Sequence, residues 1–160
     1  MSYPDPVYDG PGEPSAWARM HDAPPDLGTE PGNTVDHLAR GDATAGRFGL
    51  YRWHFGPHVS GPDPHFHRTI SESFYILSGE VHIHDGRDWK PFTSGDFVHV
   101  PPGGVHGFRN NSGEVASMLL LFTPGAPREE YFETLFAGGT TDMTDEEKAA
   151  FFLRHDNYWV

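Results

Sequence analysis

Short runs of alternating hydrophobic and polar residues fill the middle of the chain, and turn-forming residues end each run. Alternation with a period of two places every second side chain on one face of a β-strand. Asp85-Gly86 and Pro101-Pro102-Gly103-Gly104 are typical turn sequences between such runs. Many short strands at this spacing predict a sandwich or barrel. The predicted strands cover residues 48–55, 72–77, 81–84, 96–100, 105–108 and 117–122.

The two ends of the chain have different patterns. Residues 1–33 are rich in Pro, Gly and Asp, and because proline lacks a backbone donor we expect an arm without a helix or a central strand. Residues 128–136 have apolar side chains at helical spacing, and Thr144 with Glu147 matches a capping box that opens a second helix. We expect the helices to pack on the barrel or to cap one of its mouths. The predicted division is an arm over 1–33, a barrel over 34–125 and a helical extension over 126–160.

Composition and charge narrow the class of protein. A chain of 160 residues predicts one domain. The 11 basic and 23 acidic residues give a net charge of −12, which argues against nucleic acid or an anionic membrane as a partner. The absence of cysteine excludes disulfides and sulfur ligands. The start of the chain lacks the pattern of a signal peptide and no apolar run has the length of a membrane span, so we expect a cytoplasmic protein.

Three histidines and one glutamate in two segments are candidate metal ligands: His65, His67 and Glu72 in the first, and His106 in the second. Residues two apart on a strand share a face, so His65 and His67 can both point inward. The residues that follow leave room for a turn that returns Glu72 to the same cavity. Nitrogen and carboxylate donors suit a divalent transition metal such as Fe, Mn, Ni, Co, Cu or Zn better than calcium or magnesium.

The two segments resemble the paired motifs of the cupin superfamily. His65, His67, Glu72 and Gly79 follow the order and spacing of the first motif. The second motif is matched at every position, by Gly95, Pro101, Gly103, His106 and Asn110. The resemblance covers about residues 48–123. It implies an all-β double-stranded β-helix, or jelly roll, that holds a divalent transition metal on the four candidate ligands.

One position departs from the family pattern. The glycine expected six residues before the first histidine is Val59, with Gly56 and Gly61 on either side. We therefore expect the turn before the first motif to be shifted, while the ligands are unaffected.

The predicted substrate pocket combines polar and apolar side chains. Arg52 is a candidate partner for an anionic substrate group, and His54 is a candidate acid, base or supporting donor. Each apolar member fits the barrel core as well as it fits a pocket. The pattern leaves the roles of His58 and His99 open. The predicted pocket residues are Arg52, His54, Phe74, Phe108, Met118 and Leu120.

The resemblance implies a metal-dependent enzyme that acts on a small aromatic or polyketide-like molecule. The version we favour is similar to the quercetin dioxygenase branch. In this version Glu72 would be both a metal ligand and the base that accepts a substrate proton. A cyclase or isomerase, similar to monocupin polyketide cyclases, would use the ion as a Lewis acid. A module that binds a small molecule or sugar without catalysis stays open. Cupin barrels commonly exchange an N-terminal strand or pack sheet to sheet, so we also expect a homodimer.

Overall fold

Antiparallel strands make up most of the regular structure in residues 2–160, the part of the chain that the computed structural model describes. The strands are β1 (Leu27–Gly28), β2 (Thr34–Ala39), β3 (Gly49–Phe55), β4 (His65–Phe66), β5 (Ser71–Ser78), β6 (Glu80–His84), β7 (Trp89–Thr93), β8 (Phe97–Val100), β9 (Gly107–Arg109), β10 (Ala116–Thr123) and β11 (Tyr158–Trp159). Two helices, α1 (Glu129–Phe136) and α2 (Asp145–Arg154), lie between β10 and β11 in the chain.

The strands of residues 2–160 form three sheets around an aromatic core. The largest has the order β1-β2-β3-β10-β5-β8, the second has the order β7-β6-β9, and the third pairs β11 with β4. Burial alternates along β3, where Tyr51, Trp53 and Phe55 point inward. Met118 and Leu120 of β10 lie in the same core. The predicted all-β barrel with a helical extension is confirmed, because the alternation in the sequence gives each long strand one buried face.

Four strands were not among those predicted. β1 and β11 have two residues each, which carry no periodicity, β2 is buried on both faces and lacks alternation, and Pro91 interrupts the pattern of β7. β1 belongs to the predicted arm and pairs with β2 at the edge of the large sheet. The arm therefore joins the barrel at its end, and the division of the chain at residues 33 and 125 stays a prediction.

The turn before the first motif is shifted to Gly61, which has a positive φ of 139°. A Cβ atom at this position would lie 1.9 Å from the carbonyl oxygen of Phe108, so no side chain fits there. The close approach of the two backbones brings the first motif against the second.

The two helices cover one mouth of the barrel, which is one of the two placements expected from the sequence. Phe132 of α1 packs on Tyr51 and Trp53, with ring centroids 5.5 Å apart in each pair. The capping box at the start of α2 is present: the Thr144 hydroxyl accepts from the Glu147 amide, and the Glu147 carboxylate accepts from the Thr144 amide. Within the described chain neither helix has the length and apolarity to cross a membrane.

Candidate metal centre

Three imidazole nitrogens and one carboxylate oxygen converge inside the barrel. His65, His67, Glu72 and His106 each offer one donor atom, and these four atoms lie within 4.8 Å of one another. All four residues are buried, with at most 3% of their surface exposed. The convergence expected from the two sequence segments is therefore observed.

Backbone pairing fixes the positions of the donors. His65 and His106 face each other as a bridge, in which each amide donates to the carbonyl oxygen of the other at 2.7 and 2.8 Å. Glu72 lies near the start of β5, in register with Val100 of β8 and Phe122 of β10. Strand pairing thus holds the cluster in place from both sides, as a preorganised site requires.

In each of the three histidines of the cluster, the Nδ1 atom forms a hydrogen bond with a backbone carbonyl oxygen. The rings of His65 and His106 bond to the carbonyl oxygen of the residue two positions earlier, at 2.9 Å in both cases. The ring of His67 bonds to the carbonyl oxygen of Asp156 at 2.6 Å. Because Nδ1 donates its hydrogen in each bond, the Nε2 atom is left to serve as a metal ligand.

The electrostatics of the cluster suit a cation. Nε2 of His106 donates to Oε2 of Glu72 at 2.8 Å, and Nε2 of His67 lies 3.2 Å from the same oxygen. Burial alone would raise the pKa of Glu72, but the hydrogen bonds from His106 and His67 outweigh it and hold the pKa well below its usual range. Burial, aided by the nearby His106, lowers the pKa of His65 to about 3. The site thus contains an ionised carboxylate at Glu72 and a neutral imidazole at His65, the forms that bind metals, together with a His106 ring that carries a second proton on Nε2.

The donor set fits a divalent transition metal. Three nitrogens and one oxygen form a mixed ligand set of the kind that Fe, Mn, Ni, Co, Cu and Zn accept. The hydrogen bonds at Nδ1 are the supporting contacts that orient histidine ligands in metalloproteins. An ion would take the place of the proton that His106 donates to Glu72.

A cavity of about 410 Å³ opens beside the cluster and is bounded by His65 and Glu72. This volume falls within the range of small-molecule sites, roughly 300–1,000 Å³. Much of the wall comes from the helices and β11. Its remaining lining residues are Asn33, Trp53, Gly61, Pro62, Phe108, Phe122, Arg128, Tyr131, Phe132, Leu135, Phe136, Phe152 and Trp159. Aromatic rings dominate this lining, so the cavity suits a flat apolar molecule.

The apolar pocket residues predicted from the sequence divide between cavity and core. Phe108 lines the cavity. Phe74, Met118 and Leu120 are fully buried in the barrel core instead. The Phe74 ring supports the site from behind, with its centroid 6.0 Å from that of His106.

The prediction that Arg52 and His54 line the pocket is wrong. Both lie on β3 between the inward-pointing aromatic residues, so alternation turns them to the opposite face. There the Nε atom of Arg52 donates to the Asp36 carboxylate at 2.7 Å, and Nε2 of His54 lies 3.4 Å from it. His58 and His99, whose roles were open, are exposed, and His99 bonds to the Ser73 hydroxyl at 2.8 Å.

Three residues of the C-terminal extension belong to the site and were missed. Asp156 positions His67 through its carbonyl oxygen, Arg128 lines the cavity, and the Trp159 ring lies 5.3 Å from that of His65. The sequence marks Asp156 as following a helix, and it has the positive φ of 56° that aspartate tolerates. No sequence pattern shows, however, which loop the end of the chain reaches.

The sequence was compared with known proteins. The family profile described as Cupin domain matches residues 51–122. Quercetin 2,3-dioxygenase from Bacillus subtilis (strain 168) is 36% identical over 72 residues, which cover 44% of this chain and 20% of that protein. An uncharacterized protein from Aquifex aeolicus (strain VF5) is 33% identical over 61 residues, which cover 38% of this chain and 50% of that protein. The matched segments span at most half the length of these two relatives.

Solved structures share the fold. The polyketide cyclase RemF from Streptomyces resistomycificus superposes with a TM-score of 0.55 and 26% identity, over 68% of this chain and 80% of the cyclase. KdgF from a Halomonas species superposes with a TM-score of 0.59 and 17% identity, over 71% of this chain and 97% of that chain. At 17% identity, the likeness to KdgF shows a shared fold and nothing more.

Proposed function

We propose that this chain, which contains a cupin domain at residues 51–122, is a metal-dependent enzyme. Its substrate in this proposal is a small aromatic or polyketide-like molecule. The observation that carries the proposal is the position of the four-residue cluster at the wall of an aromatic cavity. His65, His67, Glu72 and His106 would hold the ion, with its identity among Fe, Mn, Ni, Co, Cu and Zn left open.

The reaction we favour is a dioxygenation. A bound transition metal supplies Lewis acidity and a route for electrons between an oxygenated ring and dioxygen. The Oε2 atom of Glu72 would accept the proton of a substrate hydroxyl, since the hydrogen bonds from His106 and His67 keep the carboxylate ionised despite its burial. The aromatic walls would hold the ring by stacking and keep water away from it. The identity shared with quercetin 2,3-dioxygenase across the domain supports this choice.

The likeness to the polyketide cyclase RemF favours a second candidate, a cyclisation or isomerisation. A bound ion would supply Lewis acidity toward a substrate carbonyl in that reaction, and Glu72 would remove a proton from the neighbouring carbon. The same cavity serves either reaction. They differ in whether dioxygen is consumed.

Metal analysis tests the centre itself. Inductively coupled plasma mass spectrometry measures the metal content of three proteins purified without chelators: wild type, His106→Ala and the control His99→Ala. We expect about one transition-metal ion per chain in the wild type and the control, and a loss of the ion in His106→Ala, which lacks one of four ligands. A wild type that takes up no ion after reconstitution would contradict the proposal.

Oxygen consumption separates the reactions. Metal-reconstituted protein is mixed with a flavonol and with related aromatic enols in an oxygen electrode, and products are followed by mass spectrometry. Oxygen uptake with a cleaved ring supports the dioxygenase, whereas a product without oxygen uptake supports the cyclase or isomerase. Binding without turnover across the panel would contradict both and leave a small-molecule or sugar-binding module.

A further inference from the structure

The cavity wall contains a buried arginine that has no acidic partner. Arg128, at the start of α1, is 4% exposed and lines the cavity together with His65 and Glu72. Within residues 2–160 no carboxylate oxygen lies within ion-pairing distance of its guanidinium group. Elsewhere the chain pairs such charges, since Arg52 and Arg19 share the Asp36 carboxylate.

The guanidinium group of Arg128 is held in place but incompletely bonded. Its Nη1 atom donates to the carbonyl oxygen of His155 at 2.7 Å, and its Nε atom is buried without a partner in the described chain. The rings of Tyr131 and Phe122 surround the group, with centroids 4.1 and 5.2 Å from its central carbon. These contacts fix its orientation and leave N–H donors available.

A fixed cation at this place is unfavourable in the absence of a ligand. A buried charge that forms no ion pair loses hydration, which ring contacts and the more distant Glu72 carboxylate replace only in part. The position at the N-terminus of α1 adds repulsion, because the helix dipole is positive there. Methionine or leucine would fill the same space without either penalty, so packing alone does not explain an arginine.

We infer that Arg128 receives the carboxylate of an aromatic acid whose ring lies against the aromatic walls of the cavity. A planar guanidinium with free donors matches a planar carboxylate, which it can bind through two hydrogen bonds. A sugar or a phosphate would set its polar atoms against walls that are mostly aromatic carbon. Besides the cluster, the polar groups of the lining are those of Asn33, Arg128, Tyr131, Trp53 and Trp159. The inference rests on the proposed function, because it supplies the class of substrate for the same cavity.

The negative charge of the chain makes a positive group in the cavity more important for binding an anion. The chain has a net charge of −12, and Glu72 adds a negative charge to the cavity wall. A local cation therefore helps an organic anion to enter against this repulsion. Arg128 is the cation that the wall supplies in the metal-free protein.

Isothermal titration calorimetry with 2-naphthoate and the uncharged 2-naphthamide tests the inference on metal-free full-length protein. The two probes match in size and differ in the group that Arg128 would bind. We expect wild type to bind the acid about tenfold or more tightly than the amide, the range of a charged hydrogen bond. Arg128→Gln should lose this preference, Arg128→Lys should keep part of it, and the surface control Arg154→Gln should keep all of it.

Several outcomes would overturn the inference: equal affinity of wild type for the two probes, no binding of the acid to wild type, or an unchanged preference in Arg128→Gln. The comparison of acid with amide in wild type needs no variant, so a misfolded variant leaves the test intact. Far-UV circular dichroism and thermal unfolding check the fold of each variant.

Metal content, measured on the same preparations after incubation with transition-metal ions, keeps this inference apart from the proposed function. A protein that prefers the acid but binds no ion contradicts the enzyme proposal and retains the role of Arg128. A protein that binds an ion but shows no preference contradicts only the role of Arg128.

Discussion

Asp156 shows how one residue supports the metal centre with both its backbone and its side chain. Its carbonyl oxygen accepts the Nδ1 hydrogen of His67 at 2.6 Å. Its carboxylate accepts the amides of Arg68 and Thr69 at 2.8 to 3.1 Å, and the Thr69 hydroxyl at 2.7 Å. The loop after His67 and the orientation of its ring are therefore held by the same residue.

We expect Asp156→Ala to weaken metal binding by up to about tenfold, because the variant keeps the carbonyl oxygen that bonds His67 but loses the carboxylate that holds this loop in place. The free energy of unfolding should fall by about 0.5–1.5 kcal/mol, because the exposed amides of Arg68 and Thr69 exchange a charged acceptor for water. Competition with a chromogenic chelator measures the first effect and urea unfolding the second. Asp142→Ala, an exposed change in the same extension, should leave both unchanged. An unaltered metal affinity in Asp156→Ala would show that the carboxylate does not help to position His67.

Asp156 also predicts a pH dependence of stability. Burial opposes its ionisation, but the hydrogen bonds from Thr69 and Arg68 lower the pKa of Asp156 below its ordinary value of 3.8. Because the folded-state pKa is the lower one, the carboxylate stabilises the fold above pH 3.8, and this contribution is lost as the pH falls through the folded-state pKa. We expect Asp156→Asn to be about 1–2 kcal/mol less stable than wild type at neutral pH, with a difference that shrinks in strong acid. Urea unfolding at several pH values measures it, and a pH-independent difference would refute the assignment to this carboxylate.

The sequence predicted the four ligand candidates because each motif is local, and the fold brings the two together. The error at Arg52 was avoidable, since Tyr51, Trp53 and Phe55 already fix the phase of the strand and turn Arg52 outward. The supporting residue Asp156 was not predictable from pattern, because it lies 89 positions from His67. Periodicity describes a strand or helix and carries no information about where the end of the chain returns.

At the scale of elements, α1 is tied to the large sheet by one buried hydrogen bond. The Tyr51 hydroxyl on β3 donates to the Glu129 carboxylate on α1 at 2.6 Å, and both residues are buried. Burial, with Glu129 beside it, raises the pKa of Tyr51 far above its usual value, so the hydroxyl remains a donor. The bond holds the helix that begins at the cavity and contributes much of its wall.

We expect Tyr51→Phe to lower the free energy of unfolding by about 1–3 kcal/mol, because it leaves the buried Glu129 carboxylate without its donor. Tyr75→Phe removes the same hydroxyl from a residue that is 43% exposed and should change stability little. Urea unfolding of the two variants beside wild type makes the comparison. Equal stability of the two variants would show that this bond does not anchor α1.

The elements that close the site were harder to predict than those that build the barrel. β5 and β10 have eight residues each, enough to show alternation. The pair of β4 with β11 has two residues on each side, yet it places Trp159 beside His65. Such short pairs form because the rest of the fold brings the segments together, so the long strands were predictable and the closure was not.

At the scale of the whole molecule, the N-terminal arm has two parts: an exposed part before Arg19, and a part from Arg19 onward that is tied to the barrel. The Arg19 guanidinium lies 3.0 Å from the Asp26 carboxylate and 3.5 Å from that of Asp36, which ties this point of the chain to the edge of the barrel. Before Arg19 the arm exposes large apolar side chains, with 98% of Tyr3 and 57% of Trp17 accessible. Exposed aromatic residues of this kind are typical of surfaces that another protein covers.

We therefore propose that the arm before Arg19 contacts a second copy of the chain and that the protein is a homodimer. Sedimentation velocity should give the mass of a dimer for the full chain and of a monomer after deletion of residues 2–18. The deletion keeps Arg19 and its ion pairs, so thermal unfolding of the shortened barrel should still be cooperative. A monomeric full chain would refute the dimer. A shortened chain that still dimerises would instead place the interface on the sheets, because the exposed aromatic residues of the arm would then be dispensable for association.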